Sequence, residues 1–166
     1  MGQIAPTADH EIEEVNCLYV PLIEDALLVP LSAVAEVVQG VKAEKQEGTP
    51  AWFEGWMVWR HKRVPLISFE ALGGDKRQGI SGASMALVMN TVNPEKGLRY
   101  YAILAQDFSH LLRIAEDDPL HHVEGQSQWP YVLMQVELDG RIMQVPDLEE
   151  LEGYLTDSLH SFLKQL

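Results

Sequence analysis

The feature that most constrains this chain is a weak repetition of itself. Val34, Val37 and Val38 stand 74 residues before Phe108, Leu111 and Leu112. Val58, Arg63, Val64 and Ile67 stand 78 before Val136, Arg141, Ile142 and Val145, and Leu72 stands 79 before Leu151, a one-residue slip near Pro146. Each match is small, but they follow one order along the chain, as the two copies of a duplicated unit do. A unit of about 70 residues buries little surface alone. The copies are therefore expected to pack on one another, share a core and leave a groove where they meet.

Both copies show the same grammar of short apolar runs and turn residues. Leu18 to Ile23 and Ala26 to Val29 read as strands, the second ended by Pro30, which cannot donate a ladder hydrogen bond. Ser32 suits a helix cap, and Val34, Val37 and Val38 fall on one face of a short helical turn. Residues 39–50 read as a polar loop. Gly55 to Phe69 reads as a hairpin turning at His61-Lys62. Gly73 to Ser84, with four glycines, reads as the connection between the copies. Ala86 to Met89 and Tyr100 to Leu104 are strands of the second copy. Phe108, Leu111 and Leu112 form its short apolar face, and 115–130 reads as a polar loop. Tyr131 to Val136 and Ile142 to Val145 make a hairpin around Asp139-Gly140. Leu148, Leu151, Leu155, Leu159, Phe162, Leu163 and Leu166 recur at helical spacing and predict a C-terminal amphipathic helix. Residues 1–15 carry four acids and no base, and read as a mobile tail with order beginning near Asn16.

Composition narrows the function. Twelve basic against 25 acidic side chains give a formal charge of −13, which repels polyanions and argues against nucleic acid or an anionic membrane as partner. The richest apolar stretch, Ala26 to Val38, is too short and too polar to span a bilayer. No secretory signal pattern opens the chain, and the single cysteine, Cys17, cannot close an internal disulfide; both fit a reducing cytoplasm.

At the level of motifs the chain resembles the CheW-like family of bacterial chemosensory adaptors over about residues 17–155. The run Leu28 to Val37 is similar to that family's strand-to-helix segment, with Val34 and Glu36 at matching positions. Thr49 to Gly55 matches the lead into the first hairpin. Gly55 to Phe69 follows the pattern G-x-x-N-x-R-G-x-x-V-P-x-x-D-L at Gly55, Arg60, Val64 and Pro65, and departs from it at Val58, His61 and Ser68. Loss of the pattern's glycine at His61 is expected to change the hairpin turn. Leu87 to Asn90 and Asp139 to Arg141 fit in the second copy. The departures resemble a divergent member, in the manner of accessory adaptors of type IV pilus-linked chemosensory pathways.

The resemblance implies a mainly β protein: two intertwined, SH3-like, five-stranded barrels with short helices and a C-terminal amphipathic helix, in one unit over 16–155. It implies no catalysis and no cofactor. The implied role is a cytoplasmic adaptor, recruited to polar receptor arrays, between the C-terminal domain of a CheA-type histidine kinase and the cytoplasmic tip of a methyl-accepting chemoreceptor. Receptor helices would meet the inter-barrel groove and the kinase the strand ends. The rival reading is a generic interaction or inhibitor module on a small β-barrel scaffold, because fold does not fix function.

The residues themselves point to one candidate surface. Arg60, Lys62 and Arg63 put three bases within four residues of an acidic chain: either a solvated hairpin tip, or a local reversal of potential that orients an acidic partner. Arg60 adds a planar fork that can grip a carboxylate. Trp52, Trp56 and Trp59 cannot all face one small barrel core, and Trp59, beside the turn, is expected to be the exposed anchor. Val34 and Glu36 border the expected groove, Val34 towards the core and Glu36 in solvent. The candidate partner-binding residues are thus Arg60, Trp59, Glu36, Val34 and Lys62.

Other signals carry less. His121-His122 with Asp117 and Asp118 could suggest a metal site, but adjacent histidines on a strand point to opposite faces and no Cys or third His stands at ligand spacing. Cys17 has no nucleophile elbow around it and suits a buried thiol. The glycine clusters lack a phosphate-loop ending.

Overall fold

The computed structural model describes residues 13–74, 79–127 and 129–163, with side chains through Ser161. Positions 75–78 of the glycine-rich connection, the tail before residue 13 and the expected helix end at 164–166 lie outside the described residues.

Among the described residues eleven strands form two sheets, and one α-helix follows the last strand. In chain order the strands are β1 (Glu14–Pro21), β2 (Ala26–Pro30), β3 (Val34–Gln39), β4 (Phe53–Trp59), β5 (Lys62–Ile67), β6 (Met85–Asn90), β7 (Tyr100–Ala105), β8 (His110–Ala115), β9 (His121–Val123), β10 (Val132–Leu138) and β11 (Arg141–Pro146), followed by α1 (Leu148–Leu163). One sheet runs β3-β6-β7-β5-β4 and the other β8-β1-β2-β11-β10-β9. Placing the second order under the first matches β3 with β8, β6 with β1, β7 with β2, β5 with β11 and β4 with β10. The single parallel contact of each sheet, β5 with β7 and β11 with β2, falls at the matching place.

The duplication is therefore real, and the copies are interleaved. The first copy's β1 and β2 complete the second barrel, and the second copy's β6 and β7 complete the first. Burial follows from this. β2, β6 and β7 are central and apolar on both faces, which is why they read as continuous runs rather than alternating ones. One face of each sheet meets a shared core in which Leu18, Val20, Leu27 and Val29 pack with Phe53, Ile67, Leu87, Met89, Tyr101 and Ile103. The other faces enclose separate interiors, Met57, Trp59, Val64, Leu66 and Val88 in one barrel and Cys17, Leu28, Val136 and Met143 in the other. α1 buries Leu151, Leu155 and Leu159 in the shared core. Asp147 caps it, its Oδ1 accepting from the Glu150 N–H at 3.2 Å, with Glu149 and Glu150 in the first turn.

The structure corrects the sequence reading at several points. Val34 to Val38 and Leu111 to Leu112 are strand residues rather than helical turns. A register shift between Val34 and Glu36 inserts one extra residue, so Val34 and Val37 both reach the shared core while Ala35 and Val38 face the barrel interior. A β-bulge has imitated the three-residue spacing of a helix. The 74-residue offset itself holds: Val37 faces Leu87 across one sheet and Leu111 faces Leu18 across the other.

In the hairpins the offset is 79, not 78, since β4 and β10, and β5 and β11, share both ends at that spacing. The turn is Arg60-His61, closed by Trp59 opposite Lys62, and not His61-Lys62. A one-residue slip exchanges the two faces of a strand. Met57, not Val58, is thus the buried counterpart of Val136, and the counterpart of Arg60 is Asp139. The turn also survives the loss of its glycine. Arg60 and His61 take φ of 46° and 64°, close to Asp139 and Gly140 at 52° and 77°.

Strand β1 starts at Glu14, paired with Ala115 of β8, so residues 14 and 15 of the expected tail are strand residues. The expected loop at 115–130 contains β9, which extends the second sheet. One glycine is required by a close approach. Gly55, at φ 130°, lets Glu44 and Trp56 exchange backbone hydrogen bonds of 2.8 and 2.9 Å, and a Cβ there would lie 2.5 Å from the Glu44 carbonyl oxygen.

Candidate functional site

The β4–β5 tip and strand β3 are opposite edges of one rolled sheet, and its curvature brings them together. Trp59 lies inside the barrel at 7% exposure, contrary to the expectation that it is the exposed anchor, because alternation along β4 sends it inward with Met57. Its indole edge still reaches the rim, where Nε1–H donates to Glu36 Oε2 at 2.8 Å. The same oxygen accepts from Arg60 Nη2 at 3.0 Å, and the Arg60 guanidinium lies 4.7 Å from the Trp59 ring centroid. Glu36, Trp59 and Arg60 therefore form one closed cluster.

The Arg60–Glu36 pair is outward, with side-chain exposures of 68% and 43%. Its value to folding is small, about 0–1 kcal/mol for an ion pair in solvent. Its effect is to aim. The ring beneath Arg60 and the carboxylate beside it restrict a long side chain to one orientation, while donors of its five-N–H fork remain for a partner.

Lys62 joins the cluster indirectly. Its Nζ lies 4.9 Å from the centroid of Tyr100, which packs edge-on against Trp59 at 5.0 Å. Val34 does not join it, because it packs on the shared core across the strand from Glu36. The half-exposed tryptophan is Trp56, which lies at the seam, covered by Arg63 at 5.1 Å and donating from Nε1 to Gln46 Oε1 at 3.2 Å. Val58 on the same outer face is 73% exposed.

Sequence reading missed Arg99 and Tyr100, which lie beside Lys62 and Arg63 although they belong to the other copy. The available signal was Lys96 and Arg99 close together in an acid-rich chain. Only the parallel β5–β7 contact brings them to the first hairpin.

This surface presents a guanidinium, an ammonium, a carboxylate and aromatic rings. Among the described residues no group of three His, Cys, Asp or Glu side chains could hold a metal ion, and no helix is long and apolar enough to cross a membrane. Burial pushes the Cys17 thiol pKa up, which disfavours the nucleophilic thiolate.

Two interleaved barrels that share a core, closed by a C-terminal helix, are the architecture of the CheW-like fold. The chain belongs to the CheW-like domain family, whose model matches residues 16–153. The scaffolding protein TtCheW from Thermoanaerobacter tengcongensis has a similar fold, at a TM-score of 0.70 and 19% identity over 86% of this chain and 90% of that one. No curated protein matches the chain.

Proposed function

We infer that this protein is a non-enzymatic adaptor that joins the C-terminal domain of a CheA-type histidine kinase to the cytoplasmic tip of a methyl-accepting chemoreceptor. Membership of the CheW-like family supports an adaptor role. The observation that carries the reading is the cluster in which Glu36 and Trp59 hold Arg60 outward at a barrel rim. An oriented, exposed guanidinium on a chain of charge −13 is a local site that selects for a carboxylate-bearing partner. Such a protein works in the cytoplasm, at membrane-associated receptor arrays.

Titration calorimetry with the kinase domain, and separately with a receptor-tip fragment, tests the reading. The wild-type chain binds both. Arg60→Ala and Glu36→Ala each weaken binding of at least one partner by about tenfold while thermal stability stays nearly unchanged. Wild-type affinity in both variants would remove this surface from the account. Failure of the wild-type chain to bind either partner would instead favour the generic interaction or inhibitor module.

A further inference from the structure

A second surface adjoins the Glu36–Arg60 rim, reaching it through Lys62 and Tyr100 but including neither Glu36 nor Arg60. On the outer side of the first barrel, β4, β5, the β6–β7 connection and α1 enclose a cleft of about 450 Å³. Trp56 and Tyr100 offer aromatic surface there, with Leu98 and Leu159 from the border of the shared core. Its charged lining is Lys62, Arg63 and Arg99, with the His160 ring beside them, and no carboxylate lines it. In a chain with twice as many acids as bases that is a concentrated reversal of sign. Three other clefts each carry acids: Glu95 in one, Glu24 and Asp25 in another, Glu44 in a third.

The bases are held ready rather than neutralised. Lys62 and Arg63 rest on the Tyr100 and Trp56 rings. Among the described residues the one ion pair they or Arg99 make is Arg63 with Glu44, at 3.9 Å between two exposed side chains. His160 Nδ1 donates to the Thr156 carbonyl at 3.0 Å, which fixes its ring and turns Nε2 elsewhere. An apolar floor inside a cationic rim fits a ligand with an apolar anchor flanked by negative charge.

We propose that this cleft binds an acidic peptide segment of a partner protein, seating one aromatic or large aliphatic side chain against Trp56 and Tyr100 between flanking Asp or Glu residues paired with Lys62, Arg63 and Arg99. Charge on both sides of the anchor matches bases contributed by β5, Lys62 and Arg63, and by the β6–β7 connection, Arg99. The inference does not rest on the kinase–receptor reading.

Its test is a titration of the isotope-labelled full chain, followed by backbone and indole N–H resonances. The probe is a blocked peptide with the order Glu-Asp-Glu-Phe-Glu-Asp-Glu. Shifts concentrated on Trp56, Arg63, Arg99 and His160 are expected, weakening as salt rises. Arg63→Glu and Arg99→Glu each weaken binding by about tenfold, and the neutral Arg63→Gln/Arg99→Gln double variant serves if charge reversal impairs folding. Three results overturn the proposal: no localised shift, equal binding when glycine replaces the central phenylalanine, or unchanged binding in the charge variants. Equal affinity for N-acetylphenylalanine alone also overturns it, since the cleft would then be a site for small organic anions. None of these outcomes depends on Arg60 or Glu36, so failure here is distinguishable from failure of the adaptor surface.

Discussion

Glu36 Oε2 sits 2.8 Å from the indole nitrogen of Trp59, so an outward carboxylate on one edge strand is tied to a ring buried within the barrel. This contact converts a hairpin tip into an oriented surface. It also separates residues that hold the fold from those that hold a partner. Trp59→Ala empties a buried site and is expected to lower unfolding free energy by about 3–5 kcal/mol. Glu36→Ala removes an exposed acceptor and lowers it by less than about 1 kcal/mol. Urea denaturation of the two variants checks the contrast, and equal losses would deny Trp59 its place in the core.

His61 occupies a left-handed backbone conformation, φ 64°, where its counterpart in the second hairpin is Gly140. A Cβ in that region is strained, and glycine relieves it. His61→Gly is expected to raise stability by about 0.5–1 kcal/mol, after allowing for the added freedom of the unfolded chain. A lowered melting temperature would show that the His61 side chain makes a compensating contact.

Glu152 is buried on α1, and its two carboxylate oxygens accept from the backbone N–H groups of Val92 at 2.8 Å and Asn93 at 2.7 Å. The helix thereby fastens the β6–β7 connection. Glu152→Ala leaves both donors without that acceptor and is expected to cost about 1–3 kcal/mol or more. Hydrogen exchange at Val92 and Asn93 should accelerate in the variant beyond the global change. Unaltered exchange there would mean the connection is held by something else.

Cys17 lies in the interior of the second barrel, and burial raises its pKa. The folded thiol therefore keeps its proton at pH values where an exposed cysteine begins to lose it. Labelling by a disulfide reagent at mildly alkaline pH is expected to be slow in the native protein and rapid in denaturant. Because the folded pKa is the higher one, the thiol's contribution to stability is present below the ordinary thiol range and is lost as pH rises through it. Rapid native labelling would place Cys17 at the surface.

Much of this fold is legible in the sequence because duplication, continuous apolar runs and a leucine-spaced helix each leave a strong periodic mark. The runs at Ala26 to Val29 and Ala86 to Met89 announce strands buried on both faces, and Asp139-Gly140 announces its own turn. Arg60-His61 does not, because neither residue advertises a positive φ, and the reading slipped by one residue with every face reversed. That slip is separate from the expectation for Trp59, which followed from its nearness to the turn. The bulge at Val34 to Glu36 hid a strand behind helical spacing. Glu36, Arg60 and Lys62 stand out as charge and motif in the chain. Their geometry, and the company of Tyr100 and Arg99, depend on a parallel pairing between copies that no local pattern encodes.

Interleaving is the claim on which the placement of every surface residue depends, and splitting the chain within residues 75–78 tests it most directly. Each barrel draws strands from both copies, so neither fragment holds a complete one. Expressed alone, each fragment should give the collapsed amide spectrum of an unfolded chain, and mixing them should restore the dispersed spectrum of the intact protein. A dispersed, cooperatively unfolding spectrum from either fragment by itself would contradict the account, because it would mean that a barrel can be built from one copy.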